Sequence, residues 1–197
     1  MKILNGYRRT GRFMSYNPEI HKRKSIRLKD YDYSKEGMYF ITICTHNREH
    51  LFGEIIYGKM ILNNAGEIVK SELLKTNEIR KNVKIDNWVI MPNHIHFLIE
   101  ILGGFPSGKP LQNNNLKNVG VLPLANPNKL KANTIGSIVN QIKSKVTKEV
   151  RKETEIFNVW QRNYYENIIR NDEIYIKVSE YIENNPLKWE EDKYFTK

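Results

Sequence analysis

Hydrophobic positions along this chain come in short β-type runs through the first half and at helical spacing in several stretches. The run MYFITICT (residues 38–45) is β-branched and aromatic, and LFGEIIYG follows after the polar break HNREH, so the two read as strands of one sheet joined by a short loop. Beyond the turn-like NNAG, Ala65, Ile68, Val69 and Leu73 recur at helical spacing and predict a helix over about residues 65–80. VKIDNWVIM and HIHFLIEIL flank Pro92-Asn93, and because proline cannot donate within a central ladder they read as two strands meeting at a tight turn. Residues 103–133 are rich in Gly, Pro and Asn without any period and form a long loop. After it, Ile135, Ile138, Val139, Ile142, Val146 and Val150 mark a regular amphipathic helix. FNVWQRNYYENIIR is aromatic and β-rich, and predicts a short strand. Ile174, Val178, Tyr181 and Ile182 then trace a last helix that Pro186 stops. The order of elements predicts an α+β fold, an antiparallel sheet with helices packed against it. A single domain over residues 26–197 follows a basic arm, residues 1–25, that shows no periodicity.

Composition narrows the function. With 197 residues and 40% apolar side chains the chain supports one domain with a real core, which excludes a peptide or a wholly disordered chain. The formal charge of +10 is segregated: residues 1–30 carry nine basic and two acidic side chains, and residues 101–148 carry seven lysines and no acid. A merely soluble surface mixes signs, so these blocks point to a polyanionic partner, nucleic acid first. No apolar run reaches the ~20 residues of a spanning helix and the first residues lack a secretory apolar stretch, so a soluble cytoplasmic protein without membrane contact is expected. The single cysteine, Cys44, excludes a disulfide framework and reads as a buried structural thiol.

The candidate chemistry begins with His94-Ile95-His96. Side chains alternate across a strand, so both imidazoles point to one face and can share a cation, although strand histidines that bind no metal show the same spacing. HExxH and paired CxxC are absent, so a further ligand must come from elsewhere in the fold. Tyr181 and Asn185, four apart, share one face of the last helix and present a phenol and an amide together.

Five blocks then resemble one family in order: KSIRLKDYDYSKEGMYFITICTHNREHLFGEI, WVIMPNHIHFLIE, IGSIVNQIKSKVT, VWQRNYYENIIRNDE and EYIENNPLKW. Together, from about Lys24 to Trp189, they are similar to the REP-associated tyrosine transposases. These belong to the single-tyrosine HUH transposases of insertion-sequence type, named for two histidines around a hydrophobic residue. The resemblance implies a ferredoxin-like, RRM-like HUH fold acting on single-stranded or hairpin DNA. It implies His94 and His96 as metal ligands, Asn185 as a third ligand, and Tyr181 as the nucleophile. Asn167 stands where the family often has a histidine, one departure from the pattern.

The implied reaction is a transesterification through a 5′-phosphotyrosine, with the divalent cation Mg²⁺ or Mn²⁺, on REP-like hairpins. Imidazoles favour Mn²⁺ by affinity, and abundance favours Mg²⁺. Arg8, Arg9, Arg12, Lys22, Arg23, Lys24, Lys143, Lys145 and Arg170 are candidate phosphate contacts, and Tyr164 and Tyr165 candidate stacking platforms for bases. A catalytically silent nucleic-acid-binding domain and a zinc hydrolase are the alternatives, and both a monomer and a homodimer remain open.

Overall fold

The computed structural model describes residues 35–103 and 134–196. The basic arm with Arg8, Arg9, Arg12, Lys22, Arg23 and Lys24, and all of the long loop except Gly103, lie outside the described residues. Strand β1 (Gly37–Cys44) is followed by the hairpin β2 (Gly53–Ile56) and β3 (Lys59–Leu62), helix α1 (Asn64–Ile79), and strands β4 (Val83–Met91) and β5 (His94–Ile101). Helix α2 (Ile135–Glu153), strand β6 (Tyr165–Ile169) and helix α3 (Asp172–Asn184) complete the core elements. An antiparallel four-stranded sheet in the order β4-β5-β1-β6 carries the helices, which is the expected α+β architecture. None of the described helices is long and apolar enough to cross a membrane.

Strand alternation divides the sheet into two faces with different contents. Tyr39, Ile41 and Ile43 of β1 and Ile95, Phe97, Ile99 and Ile101 of β5 point into the main core. There they meet Val69 and Leu73 of α1 and the whole stripe of α2, Ile135, Ile138, Val139, Ile142, Val146 and Val150. The opposite face holds a smaller cluster, Phe40, Leu98 and Ile182, beneath α3. Thr42 pairs with His96 and Cys44 with His94, so these side chains share the α3 face.

Capping explains where the helices begin. The Asn63 side chain accepts from Gly66 N at 3.0 Å, Thr134 from Ser137 N at 3.2 Å, and Asn171 from Ile174 N at 2.9 Å. Helix α3 ends at Asn184, two residues before Pro186, which cannot continue it.

One expectation is corrected. LFGEIIYG does not pair with β1, whose neighbours are β5 and β6; its strand β2 folds instead onto β3 as a separate two-stranded sheet. The reason is the Tyr57-Gly58 turn, with φ of 49° and 72°. Positive φ at both central residues makes a tight hairpin, and the short strand KMIL carries too little pattern to announce itself.

The energetic asymmetry of the two faces is testable. Ile138→Ala, at a fully buried site under the sheet, is expected to destabilise by about 2–5 kcal/mol. Ile174→Ala, on a side chain 37% exposed, should change stability by no more than about 0.5 kcal/mol. Urea unfolding of the two variants measures both values.

Candidate active site

The site is built on the first turn of β5. Asn93, His94 and His96 are completely buried, as is Thr42 apart from 2% of its surface. The Asn93 amide is oriented by its NH₂ group, which donates to Tyr194 O at 2.8 Å and to Arg48 O at 3.3 Å. Its Oδ1 is thereby turned to His94 Nδ1 at 2.8 Å. An amide oxygen only accepts, so His94 carries its proton on Nδ1 and leaves Nε2 as a bare lone pair. That Nε2 is buried and has no hydrogen-bond partner. His96 Nδ1 meets Thr42 Oγ1 at 2.7 Å, and its Nε2 lies 3.1 Å from the Tyr181 hydroxyl. A threonine hydroxyl both donates and accepts, so Thr42 can serve either His96 tautomer; with the phenol's one proton given to Asp192, His96 donates from Nε2 to Tyr181 Oη and accepts from Thr42 at Nδ1.

Helix α3 delivers Tyr181 to this pair. Its residue is 37% exposed, so the phenol spans from a buried imidazole to the surface instead of disappearing into the core. The phenolic O–H donates to Asp192 Oδ2 at 2.6 Å, and the ring stands edge-on to His96 with centroids 5.2 Å apart. Asn185, the residue after α3, donates from Nδ2 to the same Asp192 Oδ2 at 2.8 Å, while its Oδ1 is buried and unpartnered. Asp192 Oδ1 accepts from Tyr194 N at 2.7 Å. A cavity of about 310 Å³ opens beside Tyr181, Asn185 and Asp192, with Lys177 and Lys188 on its border.

His94, His96 and Asp192 each offer a ligand atom, and these atoms lie within 4.8 Å of one another. Ligand atoms on one metal with ~2.1 Å bonds lie about 3.0–3.4 Å apart when adjacent and about 4.2 Å apart when opposite, so the three groups would draw together to seat one ion. The unpartnered His94 Nε2 is the observation that fits a cation, because a buried acceptor left without a partner costs about 1–3 kcal/mol. Two imidazoles and a carboxylate are a mixed nitrogen and oxygen donor set suited to a divalent ion of intermediate hardness.

Burial sets the ionisation of every member. It lowers His94 to about 3, with Asp192 opposing and Arg48 and Lys193 adding to the shift, and holds His96 well below its ordinary value, helped by His94 and Lys193. Tyr181 is pushed up, first by burial and then by the hydrogen bond to Asp192 and its charge, so the phenol keeps its proton at neutral pH. Burial works against ionised Asp192, but hydrogen bonds from Tyr181, Tyr194 N and Asn185 outweigh it and hold the carboxyl below its usual range. Cys44, on the same sheet face, is buried and free, and burial raises its thiol, as expected of a structural cysteine.

The remaining sequence candidates separate. Tyr165 pairs with Thr42 across β1 and β6 and brings its exposed ring within 6.2 Å of Tyr194, at the edge of the site. Tyr164 packs against the main core on the other face. Lys143 is half-buried on α2, at the edge of an open surface pocket. Its ammonium donates to the carbonyls of Gln161, Arg162 and Asn163, and burial lowers its pKa. Lys145 is exposed on α2. Arg170 is exposed too, but it follows Ile169, the partner of Met38, and so lies about 20 Å along the sheet from the His94 level.

Sequence reasoning missed Asp192, Thr42, Asn93 and Tyr194 as members of the site. A polar Thr42 inside an apolar run and an Asn beside the histidine pair were readable signals. Asp192 had none, since only the fold-back of the segment after α3 brings it in.

These buried imidazoles make stability depend on pH. Above the ordinary histidine value of 6.5, folded and unfolded chains are both neutral at His94 and pH has no effect there. Below it the unfolded chain takes up a proton that the folded chain refuses down to about pH 3, so stability falls by up to about 1.4 kcal/mol per pH unit for each such histidine. In EDTA, the urea midpoint is expected to be lower at about pH 5 than at about pH 7.5. His94→Gln should make that fall shallower.

No family model matches the chain. A solved structure titled as the REP-associated tyrosine transposase bound to a REP hairpin matches at a TM-score of 0.53 and 20% identity, covering 84% of this chain and 74% of that one; a likeness at this identity establishes a shared fold. A putative transposase from Deinococcus radiodurans matches more loosely, at a TM-score of 0.42 and 14% identity over 80% of this chain and 95% of that one. An uncharacterized protein of Haemophilus influenzae is 48% identical over 183 residues, 91% of this chain and 97% of the relative. At that identity and coverage, the chain belongs to the same family as the Haemophilus influenzae protein.

Proposed function

We propose that this chain cuts and rejoins single-stranded DNA, with Tyr181 as nucleophile and a divalent cation held by His94, His96 and Asp192. The observation that carries this reading is the convergence of one phenol, two neutral imidazoles and one carboxylate. Tyr181 Oη is 3.1 Å from His96 Nε2 and 2.6 Å from Asp192 Oδ2, beside the bare Nε2 of His94. The fold shared with a REP-associated tyrosine transposase supports DNA as the substrate class, and REP-like hairpins as the form of it. The basic composition of the chain supports the same class.

The residues divide the work by protonation. Tyr181 rests protonated, and Asp192 already accepts its hydrogen bond, so the phenolic proton has a defined destination as Oη attacks phosphorus. The P–O3′ bond breaks, the phosphoryl group passes to Oη as a 5′-phosphotyrosine, and the departing 3′ oxygen takes up a proton. Reversal by a 3′-hydroxyl rejoins strands without an external energy source. A bound Mg²⁺ or Mn²⁺ supplies charge for the nonbridging oxygen, lowering the barrier that repels an anionic nucleophile. Asn185 steadies the acceptor carboxylate through Nδ2, a positioning role, and its unpartnered Oδ1 remains available as a further oxygen donor. Tyr165 at the rim supplies an exposed ring for an unpaired base.

Incubation with single-stranded hairpin DNA and Mn²⁺ or Mg²⁺, followed by denaturing electrophoresis, should show a protein–DNA adduct. Tyr181→Phe should abolish that adduct while leaving DNA binding within about threefold, since one hydroxyl contributes little to a contact dominated by phosphates. An adduct that persists in the variant contradicts the assignment. In calorimetric titration with Mn²⁺, Asp192→Asn and His94→Gln are each expected to weaken binding at least tenfold, and Thr42→Val by about 10–100-fold through loss of the His96 support.

A further inference from the structure

Arg48 is unusual in its backbone and in its surroundings. Its φ is 58°, directly after Asn47 at 50°, in the left-handed region where a long side chain is strained by about 1–3 kcal/mol. Such strain persists only where neighbouring contacts fix it. Here the Arg48 carbonyl accepts from Asn93 Nδ2 and Thr196 Oγ1, both at 3.3 Å, so the turn is tied to the same amide that orients His94. The side chain reaches the buried Tyr194 ring, with its guanidinium carbon 4.7 Å from the centroid. Lys193 Nζ lies 4.8 Å from the same centroid.

Among the described residues, neither cation is ion-paired with a carboxylate. Arg48 has only a 3.4 Å contact from Nη1 to Lys193 O. The ring they share is 4.7 Å from the His94 ring and 5.7 Å from that of His96, centroid to centroid. Two cations with no ion-pair partner among the described residues therefore lie against one aromatic ring at the edge of the histidine cluster. The aromatic ring favours each cation, and an anion held by both would add the counter-charge that neither finds in an ion pair.

We propose that Arg48 and Lys193 form a clamp that grips a phosphodiester of single-stranded DNA beside His94, His96 and Tyr181. The identity of the anion rests on the strand-transfer reading above. The chemistry divides sensibly: the planar Arg48 fork matches two nonbridging oxygens, and Lys193 adds a point charge. Because the Arg48 carbonyl and the His94 ring are held by one Asn93 amide, the gripped phosphate and the imidazoles share a rigid frame. The strained turn at residues 47–48 has a use in this account, since it aims the fork at the site and not along the strand that precedes it.

The test is anisotropy titration of the full chain carrying Tyr181→Phe, with fluorescein-labelled oligothymidine and with its methylphosphonate analogue, whose linkages carry no charge. Glycine suits a φ of 58°, so Arg48→Gly is expected to melt at the wild-type temperature or higher. It should weaken oligothymidine binding about tenfold and leave binding of the uncharged analogue unchanged. Lys193→Met should do the same to a smaller extent, and Arg48→Lys should recover part of the loss. The salt dependence of oligothymidine binding should fall by about 0.7 in log–log slope for each cation removed. With Mn²⁺ present, the losses from Arg48→Gly and His94→Gln should be non-additive, as for groups that hold one phosphate. Equal losses on both oligomers, or additive losses with His94→Gln, overturn the clamp. Failure of the strand-transfer reading shows separately, as a missing Tyr181 adduct.

Discussion

One hydrogen bond decides what the histidine pair is available for. The Asn93 amide is pinned through its NH₂ group to Tyr194 O, so it can offer His94 Nδ1 only an oxygen, and His94 Nε2 is left without a proton in a dry interior. Burial then keeps both rings neutral far below their ordinary pKa, so the lone pair stays available across the physiological range. The same burial acts on Tyr181 in the other direction and keeps its proton in place. Neutral imidazoles and a protonated phenol are what one low-dielectric pocket imposes on both. In the proposed reaction this is a resting state, from which the phenol is activated only when charge of the right sign is brought in.

The segment after α3 closes the site, and local packing fixes it. Trp189 is buried, its ring 6.0 Å from that of His94 and 5.7 Å from that of His50. Thr196 Oγ1 bonds to the Arg48 carbonyl, to Asn93 Nδ2 and to His50 Nε2. Asp192 and Tyr194 therefore reach the histidines from a stretch with little regular structure, held by side chains of the 46–50 turn. That turn carries left-handed φ values at Asn47 and Arg48, so backbone strain is placed where two otherwise independent segments meet the site, as it is at Tyr57 in the β2–β3 turn.

Legibility in the sequence followed the strength of the local pattern. The stripe from Ile135 to Val150 and the tight turn at Pro92-Asn93 were readable, because periodicity and proline chemistry act over a few neighbouring residues. The hairpin β2–β3 was not, because four-residue strands lack a period and their pairing is decided by a turn with a tyrosine where asparagine or glycine is usual. Within the site, the shared face of His94 and His96 followed from strand alternation, and Tyr181 and Asn185 from helical spacing. Asp192 and Arg48 did not, since their positions depend on long-range folding that no single-sequence period encodes. At Lys143 the sequence showed the charge but not the three backbone carbonyls that its ammonium meets, which lie 18 to 20 residues further along the chain.

Strand β5 assigns alternate residues to separate tasks. Ile95, Phe97, Ile99 and Ile101 belong to the main core, whereas His94, His96 and Leu98 look toward α3. Substitution at one parity is thus insulated from the other, and the chemistry of the α3 face is free to diversify by point changes while the framework beneath it is preserved. Insertions and deletions have no such freedom. Displacing β5 by one residue would turn the imidazoles into the main core and the isoleucines toward α3, emptying the site of its ligands, so a change of length is tolerable in the connections and not within this central strand.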